Sequence, residues 1–142
     1  MGLIEETDTF MPDWDKIASI SKDNRVIPVA VQNYDTKEVI LVAYVDEEAL
    51  KESIRLKKAV FHSTSRNKIW FKGAESGNTF TLLHIFVNCE QNSLVYQVRP
   101  DKGNICHTSR DGVPNNCFYR ELDTKTMKLV DINERNTENE RT

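Results

Sequence analysis

The sequence predicts a strand-dominated α+β domain with one main helix. Three observations lead there. Short runs rich in β-branched and apolar residues recur along the chain, each bounded by turn-forming residues. Only one segment, beginning at Asp46, carries a full set of helix signals. At 142 residues the chain suits a single core, and neither an internal repeat nor an interdomain linker is visible.

Taken in order, residues 1–13 read as a loose N-terminal arm, residues 14–131 as the single domain and residues 132–142 as a disordered polar tail. Asp13 is placed to cap a short helix through Trp14, Ile17, Ala18 and Ser21, and Asp23-Asn24-Arg25 reads as a turn. Val26 to Gln32 and Val39 to Val45 form a hairpin across Tyr34-Asp35-Thr36-Lys37. Pro28 puts the first strand at an edge, or at its own start, because proline has no N–H for a ladder. Asp46 caps a helix through Ile54, acids fill the first turn where the dipole favours them, and Lys57 and Lys58 lie near the far end.

Ala59 to His62 and Lys68 to Phe71 pair through Ser65-Arg66-Asn67, and residues 73–78 form a polar loop with two glycines. Thr79 to Val87 and Leu94 to Val98 make a hairpin around Glu90-Gln91-Asn92. Phe118 to Leu122 and Met127 to Val130 make a last pair across Asp123-Thr124-Lys125.

A net charge of −3 argues against general nucleic-acid binding. No apolar run approaches a membrane span, and the N-terminus lacks a signal-peptide pattern. The cysteines number three, which does not suggest a disulfide framework; a reducing cytoplasm fits better.

Two constellations carry chemistry. The first comprises Cys89, Cys106 and Cys117, with His107 beside the second cysteine. Three thiolates with one open position would suit a catalytic zinc; the competing reading is three unrelated buried thiols. The second is the stretch from Phe61 to Asn78, where hydroxyls and the cations Arg66, Lys68 and Lys72 concentrate in an acidic protein. Such a cluster can hold phosphate, with glycines letting the backbone approach; the alternative is a hairpin with solvated charges. His62 could face a pocket, His84 reads as a core or interface histidine, and Trp70 reads as core.

Ser65-Arg66-x-x-Ile69-Trp70-x-Lys72-Gly73-x-x-Ser76-Gly77, then Cys89, Cys106-His107-Thr108 and Cys117-Phe118-Tyr119, resemble the phosphoribosyl-AMP cyclohydrolase family of histidine biosynthesis. Trp14-Asp15, Val29-x-Val31-Gln32 and Ala43-Tyr44-x-x-Glu47-x-Ala49-Leu50 fit as well, so the likeness spans residues 14–120. The resemblance implies a mixed sheet folded on itself, pseudobarrel-like, in an intertwined homodimer. It implies a zinc held by Cys89 of one subunit and by Cys106 and Cys117 of the other. It implies His107 as general acid/base, and Ser63, Ser65, Arg66, Trp70, Lys72, Gly73, Glu75, Ser76, Gly77 and Thr108 around a small purine nucleotide. The implied reaction is hydrolytic opening of the purine ring of phosphoribosyl-AMP at N1–C6, with neither nucleic acid nor membrane as partner.

The sequence departs from that family in four places. Asn88-Cys89-Glu90-Gln91-Asn92 stands where the family carries Asp-Cys-Asp-x-Asp, whose aspartates bind magnesium. Glu90 is then the one anionic candidate left for a second metal, and amides are poor magnesium ligands. Thr64 replaces an arginine, Glu75 adds a carboxylate, and Asp111-Gly112-Val113-Pro114 lengthens the loop between Cys106 and Cys117. The first three changes weaken the hold on a twice-phosphorylated substrate. They motivate an alternative: a paralogue with the same zinc core acting on a less phosphorylated purine or related heterocycle. A non-catalytic zinc-bearing dimer is the third class, and it leaves the retained His107 without a use.

Overall fold

The computed structural model describes residues 8–10, 25–73, 77–101, 109–110, 113–114 and 117–132. The first hairpin comprises β1 (Ile27–Asn33) and β2 (Val39–Val45), antiparallel. Asn33 makes the turn: its Oδ1 accepts from the backbone N–H groups of Asp35 (2.9 Å) and Thr36 (3.2 Å), a local bond for which asparagine is suited. Lys37 follows with φ 66. Alternation along β1 turns Val29 and Val31 fully inward.

Helix α1 (Glu47–Leu56) begins where the sequence signals it. Asp46 Oδ1 accepts from the Ala49 N–H at 2.8 Å, and Lys57 ends the helix in the left-handed conformation. Ser53 seats the helix on β3 (Val60–Ser63). Its hydroxyl accepts from Val60 N–H (3.0 Å) and shares its proton between the carbonyls of Ala49 (2.8 Å) and Val60 (2.9 Å). β3 pairs with β4 (Lys68–Phe71), and β5 (Phe80–Val87) pairs with β6 (Leu94–Pro100), both antiparallel.

The main sheet runs β2-β1-β6-β5, and β1 and β6 are parallel, so the sheet is mixed. β1 is therefore interior. Pro28 is tolerated because it is the second residue of the strand, before pairing with β6 begins at Val29. One face of this sheet, together with α1 and the β3–β4 hairpin, encloses Val29, Val31, Ile40, Phe61, Phe80, Tyr96 and Val98, all fully buried. The Phe61 and Tyr96 rings stack at 6.2 Å.

The expected pseudobarrel is not a closed barrel. The chain after α1 continues the β5 edge only briefly, through Ala59 N–H to Phe80 O (2.9 Å), Leu82 N–H to Lys57 O (3.0 Å) and one bridge between Lys58 and Thr81. The β3–β4 hairpin folds over the sheet but remains a separate two-stranded sheet, because strands of four residues do not extend the ladder far enough to close it.

Beyond the core, β7 (Ser109–Arg110) and β8 (Val113–Pro114) form a short antiparallel pair inside the long cysteine loop, where the sequence pattern predicts no strand. β9 (Arg120–Asp123) and β10 (Lys128–Asp131) form the final hairpin, shifted slightly toward the C-terminus of its predicted position. Leu129 N–H donates to the carbonyl of Asp8 at 2.6 Å, bringing Asp8 and Thr9 onto β10. The helix expected after Asp13 and the polar tail from residue 133 lie outside the described residues. No helix among the described residues is long and apolar enough to cross a membrane.

Candidate active site

Cys89 sits on the turn that joins β5 to β6. Asn88 shapes that turn. Its backbone N–H donates to Ser93 O (3.2 Å), its carbonyl accepts from Gln91 N–H (3.0 Å), and Gln91 adopts φ 57. The side chain of Asn88 closes the turn further, since its Oδ1 accepts from the N–H groups of Asn92 and Ser93, both at 2.9 Å. Cys89 is left exposed at the tip.

Cys117 is also an exposed thiol. Its backbone N–H donates to Ile40 O on β2 at 2.8 Å, which fixes the far end of the cysteine loop to that strand. Exposure of both residues rules out, for these two, the reading of inert buried thiols. The two anchors lie on opposite outer strands of the sheet: Cys89 follows β5, and Cys117 docks on β2. Three inter-strand spacings separate those strands, roughly 14 Å. Cys106, His107 and Thr108 lie outside the described residues, as do Glu75 and Ser76.

Of the second predicted cluster, Ser63, Ser65 and Arg66 gather at the tip of the β3–β4 hairpin, whereas Lys72 and Gly73 follow the other end of β4. The Ser63 and Ser65 hydroxyls are 3.3 Å apart, and the Arg66 N–H donates to Ser63 Oγ at 3.3 Å. Asn67, at φ 49, completes the turn, so both hydroxyls and the Arg66 side chain share one polar tip. Trp70 is 36% exposed on β4, with its ring 5.6 Å from Phe61, one face on the core and part in solvent. Lys72 Nζ lies 5.2 Å from the centre of the Phe80 ring. The next turn requires glycine: Gly73 has φ +80, a Cβ there would strike the Asn78 carbonyl group, and Gly77 N–H donates to Gly73 O at 2.7 Å.

The histidines separate. His62 is buried with Nδ1 3.3 Å from Asp46 Oδ2, at the N-terminus of α1. His84 is exposed, not in the core of the subunit, and lies between the rings of Tyr34 (5.5 Å) and Phe86 (6.1 Å).

Sequence reasoning misses Asp101, the last described residue before the segment carrying Cys106. Its carboxylate accepts from Lys58 Nζ (2.7 Å), Thr79 Oγ1 (2.5 Å) and Thr81 Oγ1 (2.5 Å). Partial burial pushes its pKa up, but the bonds from Lys58, Thr79 and Thr81 outweigh that and hold it below the usual carboxylate range. Partners 20 to 43 residues away leave no local signal that could have found it.

Comparison with known proteins converges on one family. A model of the phosphoribosyl-AMP cyclohydrolase family matches residues 41–119, which include all three cysteines and His107. The chain is similar to a phosphoribosyl-AMP cyclohydrolase of Nitrosopumilus maritimus, 42% identical over 101 residues, covering 71% of this chain and 89% of the relative. It is similar to another of Archaeoglobus fulgidus, 42% identical over 98 residues, covering 69% and 86%. It also matches a histidine biosynthesis bifunctional protein HisIE of Caldanaerobacter subterraneus, 42% identical over 107 residues. There it covers 75% of this chain and spans about half (50%) of the relative's length.

Proposed function

The chain belongs to the phosphoribosyl-AMP cyclohydrolase family, and on that premise we propose that it is a zinc-dependent hydrolase of cytoplasmic histidine biosynthesis that opens the purine ring of phosphoribosyl-AMP at the N1–C6 bond. The observation that carries this reading is the placement of two exposed thiols, Cys89 and Cys117, on opposite edges of one sheet. Zinc–sulfur bonds are about 2.3 Å long, so thiols held some three strands apart do not share one ion within a subunit. A second copy of the chain supplies the missing ligands: Cys89 comes from one subunit, and Cys106 and Cys117 come from the other.

The surface available for that second copy is apolar. Val42, Ala30, Val95 and Phe86 are register partners across all four strands, forming one row on the face of the sheet away from the core. Val42 and Phe86 are about half exposed, and Val87 extends the patch toward Asn88 and Cys89. A patch of this kind on a soluble domain marks an interaction surface, and its continuity with the Cys89 turn joins dimerisation to completion of the metal site.

Thiol donors and their exposure suit zinc. When bound, zinc lowers the pKa of water toward neutrality and so supplies hydroxide at working pH. C6 of an adenine alkylated at N1 is electron-poor, and zinc deaminases attack that same carbon. His107 takes a proton from the attacking water on its imidazole nitrogen and delivers it to N1 as the N1–C6 bond breaks. The water oxygen remains on C6 and becomes the carbonyl of a carboxamide as its second proton is released to solvent with the positive charge of the alkylated ring, and the amino group already on C6 is retained. The Ser63–Arg66 turn, with Lys72 and Thr108, binds phosphate through charge-assisted bonds, and the exposed part of Trp70 flanks the nucleotide. No described contact favours a less phosphorylated substrate: Arg66 and Lys68 keep two cations at the tip of the β3–β4 hairpin, and Lys72 adds a third past the other end of β4.

The test is zinc-loaded protein with phosphoribosyl-AMP, followed by absorbance, with metal analysis of the Cys106→Ser and Cys117→Ser proteins. One zinc per subunit, lost in both variants, and ring opening by the wild type are expected. Full zinc in either variant overturns the ligand set; fully zinc-loaded protein that leaves phosphoribosyl-AMP intact overturns the substrate.

A further inference from the structure

The family resemblance leads to the expectation of a hard divalent cation at residues 88–92, beside the zinc ligand Cys89. The residues present do not fit one. Asn88 Oδ1 is occupied by the N–H groups of Asn92 and Ser93. Asn88 Nδ2 donates to Asn92 Oδ1 at 2.7 Å, and Asn92 Nδ2 donates to Glu90 Oε2 at 3.2 Å. Each side-chain oxygen that would have to turn toward magnesium, save Glu90 Oε1, already accepts a hydrogen bond. Magnesium requires near-octahedral oxygen coordination and favours carboxylates; one remaining carboxylate oxygen is not such a site.

The chemistry of the contact is specific to the amides. Asn88 must donate and accept at once, which an ionised aspartate at the same position does not do. Two carboxylates at 88 and 92 would face each other at the same separation with no proton between them, and a cation would be needed to hold them together. We propose that in this chain the Asn88–Asn92 amide pair replaces that cation, so that the turn presenting Cys89 is closed by hydrogen bonds alone and the protein neither binds nor needs magnesium there. The inference rests on the family reading only in expecting a second metal at this turn; the bonds themselves belong to this chain.

Magnesium chloride is the probe, added to the zinc-replete protein at fixed concentration in otherwise magnesium-free buffer. For the wild type, calorimetric titration gives no saturable binding, and neither the melting temperature nor the turnover responds to magnesium. For Asn88→Asp/Asn92→Asp, the melting temperature falls by roughly 3–6 °C, the loss expected for a few hydrogen bonds in a domain of this size, and magnesium restores it. Saturable magnesium binding by the wild type that disappears in Asn88→Ala overturns the proposal. So does a double variant as stable as the wild type without magnesium. Should the double variant not fold, the wild-type titration decides alone. Zinc content and ring opening test the earlier reading separately, and neither depends on the outcome of the titration.

Discussion

Lys58 Nζ lies 2.7 Å from Asp101 Oδ2, tying the end of α1 to the point where β6 gives way to the cysteine-bearing segment. Thr79 and Thr81 bond the same carboxylate from the start of β5. One side chain thus fastens three segments immediately before the stretch of sequence that carries Cys106 and His107. Asp101→Asn is expected to destabilise the protein by about 1–2 kcal/mol at neutral pH, as for a partly exposed charge-assisted bond.

The pH dependence has a definite sign. The folded-state pKa of Asp101 is depressed, so its contribution is present above the unfolded carboxylate value and is lost as pH falls through the lower folded value. Urea unfolding of wild type and Asp101→Asn should therefore differ at pH 7 and converge only below about pH 4. A gap that closes already between pH 7 and pH 5 would assign the effect to another group.

Much of this fold is legible in the sequence because its signals are local. Asp46 as cap, the acids at 47 and 48, and Asn33 as a turn former each act within a few residues. The parallel pairing of β1 with β6 is not legible, since Val31 and Tyr96 meet across 65 positions with nothing nearby to announce it. The site divides the same way. Cysteines and the Ser63–Arg66 turn stand out by residue type, whereas the opposite-edge placement of Cys89 and Cys117 follows only from strand order. Asp101 is invisible for the same reason.

Gly73 lies just past β4, packed against the backbone of Asn78 and Thr79. With φ +80 and the Asn78 carbonyl group in the space a Cβ would take, Gly73→Ala has to displace the backbone at Asn78 and Thr79. The expected cost is about 1–3 kcal/mol of stability, read by thermal unfolding, together with a raised KM, because Lys72 precedes the glycine directly. An unchanged melting temperature would mean that this backbone relaxes freely.

His107 is expected to act on protons rather than to hold the protein together. His107→Ala should retain zinc and the dimer while turnover falls on the order of 10²- to 10⁴-fold, the usual contribution of a general acid/base. Metal analysis, size-exclusion chromatography and kcat are measured on one preparation. Turnover at the wild-type rate would return His107 to a structural role.

The apolar row on the outer sheet face gives the sharpest test of assembly. Phe86 is 52% exposed in the subunit, so Phe86→Glu should leave the subunit fold intact. In a dimer that buries the Val42–Ala30–Val95–Phe86 row, the new carboxylate would be desolvated without a partner, at a cost of about 3–5 kcal/mol. That corresponds to a dissociation constant raised by roughly two to three and a half orders of magnitude. Ile54→Glu, at an exposed position on α1, serves as the control. Sedimentation should show Phe86→Glu as a monomer and Ile54→Glu as a dimer, and zinc content should fall with the dimer because Cys89 loses the partner subunit's thiols. A Phe86→Glu protein that remains a zinc-loaded dimer would place the interface elsewhere and detach the apolar row from the metal site.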